Sequence, residues 1–409
     1  MAYDTTAEPG RPSTRRVLLV DCDQFFVQCA RLADPDGAGR QRLLLVGGSA
    51  SHRGVVTSAS YETREYGVRS GMPTGRALRL CPQAVVVPVP RGLCLEKSKA
   101  VRVVLERFSP VVEPASIDEA YIDMTGTEAL YHREPLAVTA RRMQAAVAKD
   151  AGIAVSIGGG ASRVVAKLAA GRAKPAGVRV IEPGEEVTFM REFRLADIPG
   201  VGPVFADQLA RHGMVRVEDA LTAGAAALER WFGASRGRWL DRRCHGIDGG
   251  EVTPDRAARS MSREETFAVD IDDDESLETE LLSLAVRLGA DLRRHELRTR
   301  TVTVKLRDHD FRTRQASRTI DEPIESDRAL FQVARELLIR LRGTRRTPAR
   351  LIGVAATGLV GGDALAQLSL VEDARSPETE RDRRLARATD QLRQRFGPDA
   401  VKPGRLLDR

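Results

Sequence analysis

The chain has 409 residues, of which 42% are hydrophobic and 30% charged, a composition typical of a globular protein with about two to four domains. No apolar run approaches the roughly eighteen residues that cross a membrane, and the polar N-terminus lacks the apolar core of a signal peptide, so we expect a cytoplasmic protein. The five cysteines form no C-x-x-C pair, which argues against a disulfide framework and a zinc ribbon, while the net charge of +7 favours an anionic partner.

The first third of the chain is predicted to hold short strands and loops. Residues 1–14 are polar and are expected to form a flexible leader. Residues 16–22 are an apolar run that ends near a carboxylate, which predicts a buried strand. Residues 33–90 combine a loop rich in Asp, Gly and Arg with a small segment interrupted by glycine and proline, and residues 111–125 predict two strands around a turn.

The middle of the chain is predicted to be mostly helical. Residues 135–150 and 162–171 have helical patterns on either side of a strand over 153–157. Residues 185–245 predict a compact helical region, and the following glycine-rich segment to residue 260 predicts a linker.

The C-terminal part has a regular alternation. Strands are predicted over 265–271, 301–307, 311–319 and 351–358, with one helix marked by leucines between 277 and 292 and another over 330–341. The order is β-α-β-β-α-β, a ferredoxin-like unit. Residues 361–409 are polar and include a candidate short helix over 381–396.

Three acids are candidate ligands for divalent cations. Asp21 ends the first predicted strand, and Asp118 and Glu119 lie in the segment Ser-Ile-Asp-Glu-Ala-Tyr. A turn there would let both carboxylates converge with Asp21, and clustered carboxylates repel one another unless cations such as Mg²⁺ bind. The alternative, which spacing alone favours, is three ordinary acids at a strand end and in a turn. We interpret Asp23 and Asp123 as structural.

Two segments carry residues that suit phosphate. Tyr61 and Arg64 are three positions apart, so they would share a helical face and could donate to phosphate oxygens, although an exposed helix start is the competing interpretation. A glycine turn before Ser162 and Arg163 offers amide groups to an anion. Lys174, in a turn bounded by Pro and Gly, is either a phosphate contact or a solvated lysine.

Two regions suit sequence-independent contact with DNA phosphates. One is a glycine hairpin between predicted helices, formed by Pro199, Gly200, Val201 and Gly202, for which a tight helix–helix loop is the alternative. The other is the basic stretch 293–318, which predicts a sheet with one apolar and one cationic face. A solubilising surface is the alternative there, and the concentration of like charge favours nucleic acid. The cations expected to contact DNA there are Lys305, Arg307, Arg312 and Arg314. Aromatic residues make up only 4%, which argues against a base-stacking platform.

Six short segments occur together in one order between residues 16 and 360. They are Val20-Asp-Cys-Asp-Gln-Phe-Phe26, Ser58-Ala-Ser-Tyr-Glu-Thr-Arg64 with Tyr66-Gly-Val-Arg-Ser-Gly-Met-Pro73, Ser116-Ile-Asp-Glu-Ala-Tyr121, Ala173-Lys-Pro-Ala-Gly177, Ile198-Pro-Gly-Val-Gly202 and Arg263-Glu-Glu-Thr-Phe267. This combination resembles the Y-family DNA polymerases, specifically their bacterial DNA polymerase IV branch.

The resemblance implies an α+β multidomain protein with the right-hand architecture of a polymerase. The implied domains are a palm (15–32 and 91–181), small fingers (33–90), a helical thumb with a helix-hairpin-helix (182–248), a linker (249–260), a βαββαβ little finger (261–360) and a C-terminal tail (361–409).

The resemblance also implies roles for individual residues. Asp21, Asp118 and Glu119 would be catalytic and would hold two Mg²⁺ together with the carbonyl of Cys22. The residues that would bind the nucleotide are Phe26, Ser58, Tyr61, Arg64 and Lys174. Phe26 would also be the steric gate that excludes a ribose 2′-OH, and the competing interpretation is a core residue beside Phe25.

The sequence departs from the family pattern in two places. The usual Asn-Lys after the glycine turn is Ser162-Arg163, which keeps a positive charge but changes a local contact. In the tail, Gln367, Leu368 and Leu370 resemble a peptide that binds the sliding clamp, but Val371 stands where an aromatic residue is usual, so we expect weak docking or none.

The function implied is that of an error-prone, template-directed DNA polymerase that extends primed template DNA with dNTPs in translesion synthesis and DNA repair. We expect a monomer without membrane contact. The alternatives are a non-catalytic translesion accessory protein that bridges DNA and the clamp, which the three acids disfavour, and a palm-type nucleotidyl cyclase, which would not need the glycine hairpin or the basic C-terminal unit.

Overall fold

The computed structural model describes residues 15–254, 257–361, 377–397 and 399–407. The chain divides into two compact units, Met1–Arg256 and Ala257–Arg409, and the division falls inside the predicted linker. In these described ranges, no helix is both long enough and apolar enough to cross a bilayer.

The first unit contains eight strands and ten helices among its described residues. The strands are β1 (Val17–Cys22), β2 (Leu44–Gly47), β3 (Val56–Ala59), β4 (Val85–Val87), β5 (Val112–Pro114), β6 (Glu119–Asp123), β7 (Val155–Gly160) and β8 (Val178–Val180). The helices are α1 (Phe25–Ala33), α2 (Tyr61–Glu65), α3 (Thr74–Leu80), α4 (Arg91–Glu106), α5 (Leu136–Ala151), α6 (Arg163–Ala173), α7 (Glu186–Met190), α8 (Pro203–Arg211), α9 (Val217–Phe232, interrupted at Gly224) and α10 (Ala234–Cys244).

A five-stranded sheet, the palm sheet, has the order β5-β6-β1-β7-β8 and is covered on both faces. Because alternate residues of β1 point to opposite faces, Leu18 and Val20 pack against the side of α4 and α5, whereas Val17 and Leu19 pack against Ala166 of α6. This central position makes β1 fully buried except near its end, where the predicted acid lies.

A smaller sheet of order β3-β2-β4 forms the predicted fingers, and α7 to α10 form the predicted thumb. The start of the predicted linker packs against the palm sheet rather than hanging free. Val252 is buried among Val17, Leu19 and Tyr121, and the amide of Thr253 donates to the Glu113 carboxylate at 2.9 Å.

The second unit confirms the predicted β-α-β-β-α-β order. Its elements are β9 (Ser260–Ile271), α11 (Asp274–Arg294), β10 (Leu297–Asp308), β11 (Thr313–Ile324), α12 (Asp327–Thr344) and β12 (Ala349–Gly361), followed by α13 (Glu380–Phe396). The sheet has the order β11-β10-β12-β9 and is covered on one face by α11 and α12, whose leucines form the core as predicted. The other face, which we call the open face, carries Lys305 and Arg307.

Candidate active site

The three predicted acids lie at one end of the palm sheet. Asp21 of β1 is the cross-strand partner of Glu119 of β6. Directly opposed residues of antiparallel strands project to the same face, with Cβ atoms about 5 Å apart. Asp118 is fixed beside them because its carbonyl accepts a hydrogen bond of 2.9 Å from the Cys22 amide, and its carboxylate accepts one of 2.5 Å from the Ser116 hydroxyl. Strand register therefore brings together acids that lie far apart in sequence.

Two lysines contact these acids. The Lys174 ammonium lies 2.6 Å from Asp21 Oδ1. The Lys167 ammonium lies 2.7 Å from both carboxylate oxygens of Glu119. Among the described residues, no three His, Cys, Asp or Glu side chains form a ready-made metal cage. The oxygen donors and the demand of the clustered acids for positive charge nevertheless fit a hard divalent cation.

The pKa of the Asp21 carboxyl is shifted by its surroundings. Burial raises its pKa from 3.8 to about 6, the Lys174 ammonium opposes that rise, and the negative charges of Glu119 and Asp118 add to it. A carboxylate that is costly to ionise in the metal-free protein gains more than an exposed one when a cation binds beside it.

The predicted nucleotide contacts Tyr61 and Arg64 both lie in α2, Tyr61 as its first residue and Arg64 in its last turn. The Arg64 guanidinium lies over the Tyr61 ring, 4.9 Å from its centroid, and donates through Nε to the Ala59 carbonyl. The Tyr61 hydroxyl donates to Asp23 Oδ1 at 2.8 Å, and burial together with this bond raises the pKa of Tyr61.

The other predicted nucleotide residues differ in accessibility. Phe26 is partly exposed and packs edge-on against the buried Phe25, with ring centroids 5.6 Å apart. Its partial exposure is compatible with the predicted gate. Ser58 is buried within β3, so its side chain is less available to a ligand than those of α2. The Cys22 thiol is buried, and only its backbone carbonyl was predicted as a ligand.

Sequence reasoning missed the contacts of Arg163. Its guanidinium lies 4.0 Å from the centroid of the Tyr121 ring and makes two hydrogen bonds with the Glu113 carboxylate, one of them at 3.0 Å. Ser162 caps α6 by accepting from the Val165 amide. The Ser162 hydroxyl also donates to the Gly246 carbonyl at 2.7 Å, and Arg163 donates to the Glu251 carbonyl at 2.9 Å. Both residues therefore hold the predicted palm to the segment that follows the predicted thumb.

The glycine hairpin of the predicted thumb has the geometry that its sequence requires. Gly200 has φ of 102°, which an L side chain rarely adopts, and a Cβ there would lie 2.6 Å from the Trp239 ring. Gly202 caps α8, which begins with Pro203. Val201 is buried and donates its amide to the Ile198 carbonyl.

The structure corrects the prediction for Arg314. In the register of β10 and β11, Arg314 faces Leu306, so it lies on the helix-covered face and not with Lys305 and Arg307. Its guanidinium lies 2.8 Å from the carboxylate of the fully buried Asp308. Arg312 precedes β11 and has an exposed side chain.

The open face is also less cationic than predicted. Lys305 makes an ion pair with Glu264 of β9, and the remaining positions carry mainly hydroxyls, such as Thr303, which lies 2.9 Å from Ser317. The predicted clamp-binding residues Gln367, Leu368 and Leu370, with Val371, lie outside the described residues.

Comparisons with known proteins identify the family that the chain resembles. Residues 20–171 match the impB/mucB/samB family, and residues 258–370 match the C-terminal domain of that family. The DNA polymerase IV of Caulobacter vibrioides is 37% identical over 96% of this chain and 94% of its own length. The DNA polymerase IV of Yersinia enterocolitica is 36% identical over 84% of this chain and 96% of its own length.

A solved structure supports the same relationship. A Y-family DNA polymerase chimera matches with a TM-score of 0.76 and 25% identity, covering 84% of this chain and 99% of its own. The sequence relatives and the shared fold agree with the motifs around the three acids, and the chain therefore belongs to the Y family of DNA polymerases.

Proposed function

We propose that this chain extends the 3′-OH of a primer on template DNA with dNTPs, and that it acts in translesion synthesis and DNA repair. The observation that carries the proposal is the convergence of Asp21, Asp118 and Glu119 at one end of the palm sheet, beside Lys174. All three acids are present, so the non-catalytic accessory role gains no support.

In this proposal the three acids, with the Cys22 carbonyl, hold two Mg²⁺. When bound, the two ions would stabilise the attacking and leaving oxygens of an in-line phosphoryl transfer. Lys174 and Arg64 supply positive charge for the triphosphate, and the Phe26 ring excludes a 2′-hydroxyl by its volume. The glycine hairpin, Lys305, Arg307 and Arg312 bind DNA phosphates. The protein works as a cytoplasmic monomer and contacts the clamp weakly or not at all.

The decisive test is primer extension by variants of the acids. Asp118→Ala and Glu119→Ala should each reduce single-nucleotide incorporation by about a thousandfold or more, because an interaction made in the transition state is lost. The affinity for primed DNA, measured by fluorescence anisotropy, should change little. Asp123→Asn, at the other end of β6, is the matched control and should retain activity. Near-normal extension by either alanine variant would contradict the proposal.

The steric gate has its own test. Phe26→Ala should raise the incorporation of rNTPs relative to dNTPs by about tenfold or more, since the volume that excludes the 2′-OH is removed. Phe25→Leu, in the adjacent buried ring, should leave sugar selectivity unchanged. An unaltered ratio of rNTP to dNTP incorporation in Phe26→Ala would show that the gate is elsewhere.

A further inference from the structure

Asp23 is a buried carboxylate that the proposed mechanism does not use. Its side chain is 3% exposed and accepts hydrogen bonds from three neutral donors. The Tyr61 hydroxyl lies 2.8 Å away, the Ser156 hydroxyl 2.9 and 3.0 Å from the two oxygens, and the Ala176 amide 2.8 Å away. Such a fully used carboxylate fixes the position of each donor.

Two of these donors lie next to the proposed triphosphate contacts. Tyr61 carries the Arg64 guanidinium on its ring, and Ala176 follows Lys174 by two residues. Tyr61 is 38 positions from Asp23 in sequence and Ala176 is 153 positions away. One carboxylate therefore joins the start of α2 to the turn that carries Lys174.

Gln24, the residue after Asp23, adds a second hydrogen bond to Tyr61. Gln24 adopts a left-handed conformation with φ of 39°, and its side-chain oxygen accepts a hydrogen bond of 3.0 Å from the Tyr61 amide. Tyr61 is thus held from the corner between β1 and α1 through both its backbone and its hydroxyl. The turn of Lys174 is held from the same corner through Ala176, which also has a positive φ, of 49°.

We propose that Asp23 is a positioning residue that sets the distance between the α2 contacts and Lys174, and so fits the site to a nucleoside triphosphate. This inference rests on the proposed polymerase function. The expected effect of removing Asp23 is opposite in sign to a simple electrostatic effect. Removal of a negative charge near an anionic ligand would strengthen binding, whereas loss of the hydrogen bonds that hold Tyr61 and the Lys174 turn weakens it.

The test uses the full-length protein on primed template DNA in single-turnover incorporation, which separates the dNTP dissociation constant from the maximal rate. Asp23→Asn keeps the shape but loses one acceptor oxygen, and it should raise the dNTP dissociation constant about tenfold, the effect of one hydrogen bond to a charged group. Asp23→Ala releases every donor and should raise it further. The affinity for DNA should stay within about twofold of the wild type.

Two control variants and one double variant separate positioning from general support of the fold. Asp123→Asn makes the same chemical change at a carboxylate that accepts only the Thr125 amide among its described bonds, and should have no effect on dNTP binding. Ser156→Ala removes a donor that lies in neither α2 nor the Lys174 turn, and it should change the dNTP dissociation constant by less than about threefold. Combined with Tyr61→Phe, Asp23→Asn should raise the dNTP dissociation constant by less than the product of the two single effects, because the two residues share one hydrogen bond.

The outcomes are distinct. An unchanged or lowered dNTP dissociation constant in folded Asp23→Asn, with active wild-type protein, would overturn this inference alone. Wild-type protein that extends no primer would overturn the proposed function and this inference with it. If Asp23→Ala does not fold, the isosteric Asp23→Asn and the Tyr61→Phe cycle still decide the question.

Discussion

The palm sheet and the sheet of the second unit place their charged residues in opposite ways. The palm sheet is covered on both faces, and its candidate metal-binding acids lie near strand ends, where Asp21 and Glu119 pair across β1 and β6. The described residues cover the second sheet on one face only, so Lys305 and Arg307 can lie within β10 on the face opposite α11 and α12. In the first case register decides which residues meet, and in the second it decides which face they occupy.

The two sheets also differ in how they offset the free-energy cost of burying a charged side chain. In the palm, burial opposes the ionised form of Asp21. In the second unit, the buried acid Asp308 is bound by the guanidinium groups of Arg314 and Arg345, while the cations of the open face remain partly exposed. The palm thus holds a carboxylate, Asp21, whose ionised form is unfavourable without a bound cation. In the second unit the buried carboxylate of Asp308 is neutralised by Arg314 and Arg345.

The largest expected effect tests the internal role of Arg314. Arg314→Ala should destabilise the β10–β11 pair by about 3 kcal/mol, because Asp308 stays buried with only Arg345 to balance it. Hydrogen exchange of the β10 and β11 amides in the full-length protein measures this locally. Arg312→Ala removes an equal charge from an exposed side chain and should change exchange by less than about 0.5 kcal/mol. Equal protection in the two variants would contradict the assignment.

The next largest effect tests how much the buried, ionised carboxylate of Asp21 destabilises the metal-free protein. The pKa of Asp21 is about 6 in the folded protein and 3.8 without burial, so folding favours its protonated form and stability falls as pH rises through 6. Asp21→Asn mimics that neutral form and should stabilise the metal-free protein at pH 8 by about 2 kcal/mol, with the difference vanishing below about pH 4.

Calorimetry in the presence of a chelator, at pH 8 and at about pH 4, measures the difference in stability between Asp21→Asn and the wild type. Asp123→Asn, whose carboxylate accepts the Thr125 amide at a strand end, should not stabilise the protein. Loss of stability in Asp21→Asn at pH 8 would show that the Lys174 ion pair outweighs the burial of the carboxylate. In the wild type, the Mg²⁺ concentration needed for half-maximal primer extension should rise as pH drops below about 6, because protons then compete with the cation for Asp21.

The same comparison explains which features were predictable from sequence. The strands that carry the three acids were predictable because β1 and the segment after Ser116 have strong local signals, whereas the metal-binding role proposed for the acids came from the family resemblance. The core of the second unit was found because Leu277, Leu281 and Leu284 follow a helical period. In both places a short stretch of sequence contains enough information.

The sequence does not predict contacts that depend on the register of paired strands or on a single hydrogen bond between residues far apart in the chain. The face of Arg314 is set by its register with Leu306, and a strand pattern alone does not contain that register. Asp23 was interpreted as structural, but its hydrogen bond with Ala176 could not be predicted from positions 153 residues apart. The partners of Arg163 lie in β5 and β6, beyond the reach of any local pattern.

The smallest expected effect tests the open face. Lys305→Ala combined with Arg307→Ala should lower the affinity for duplex DNA about fivefold at physiological salt, and should reduce the slope of log K against log[salt] by about 1.8, since two phosphate contacts are lost. Arg381→Ala combined with Arg384→Ala removes the same charge from exposed positions of α13 and is the matched control. If both double variants reduce the slope equally, net charge rather than this face governs binding. A reduced slope in the first pair alone would assign the phosphate contacts to the open face near the end of β10, where the register of the sheet places these two side chains.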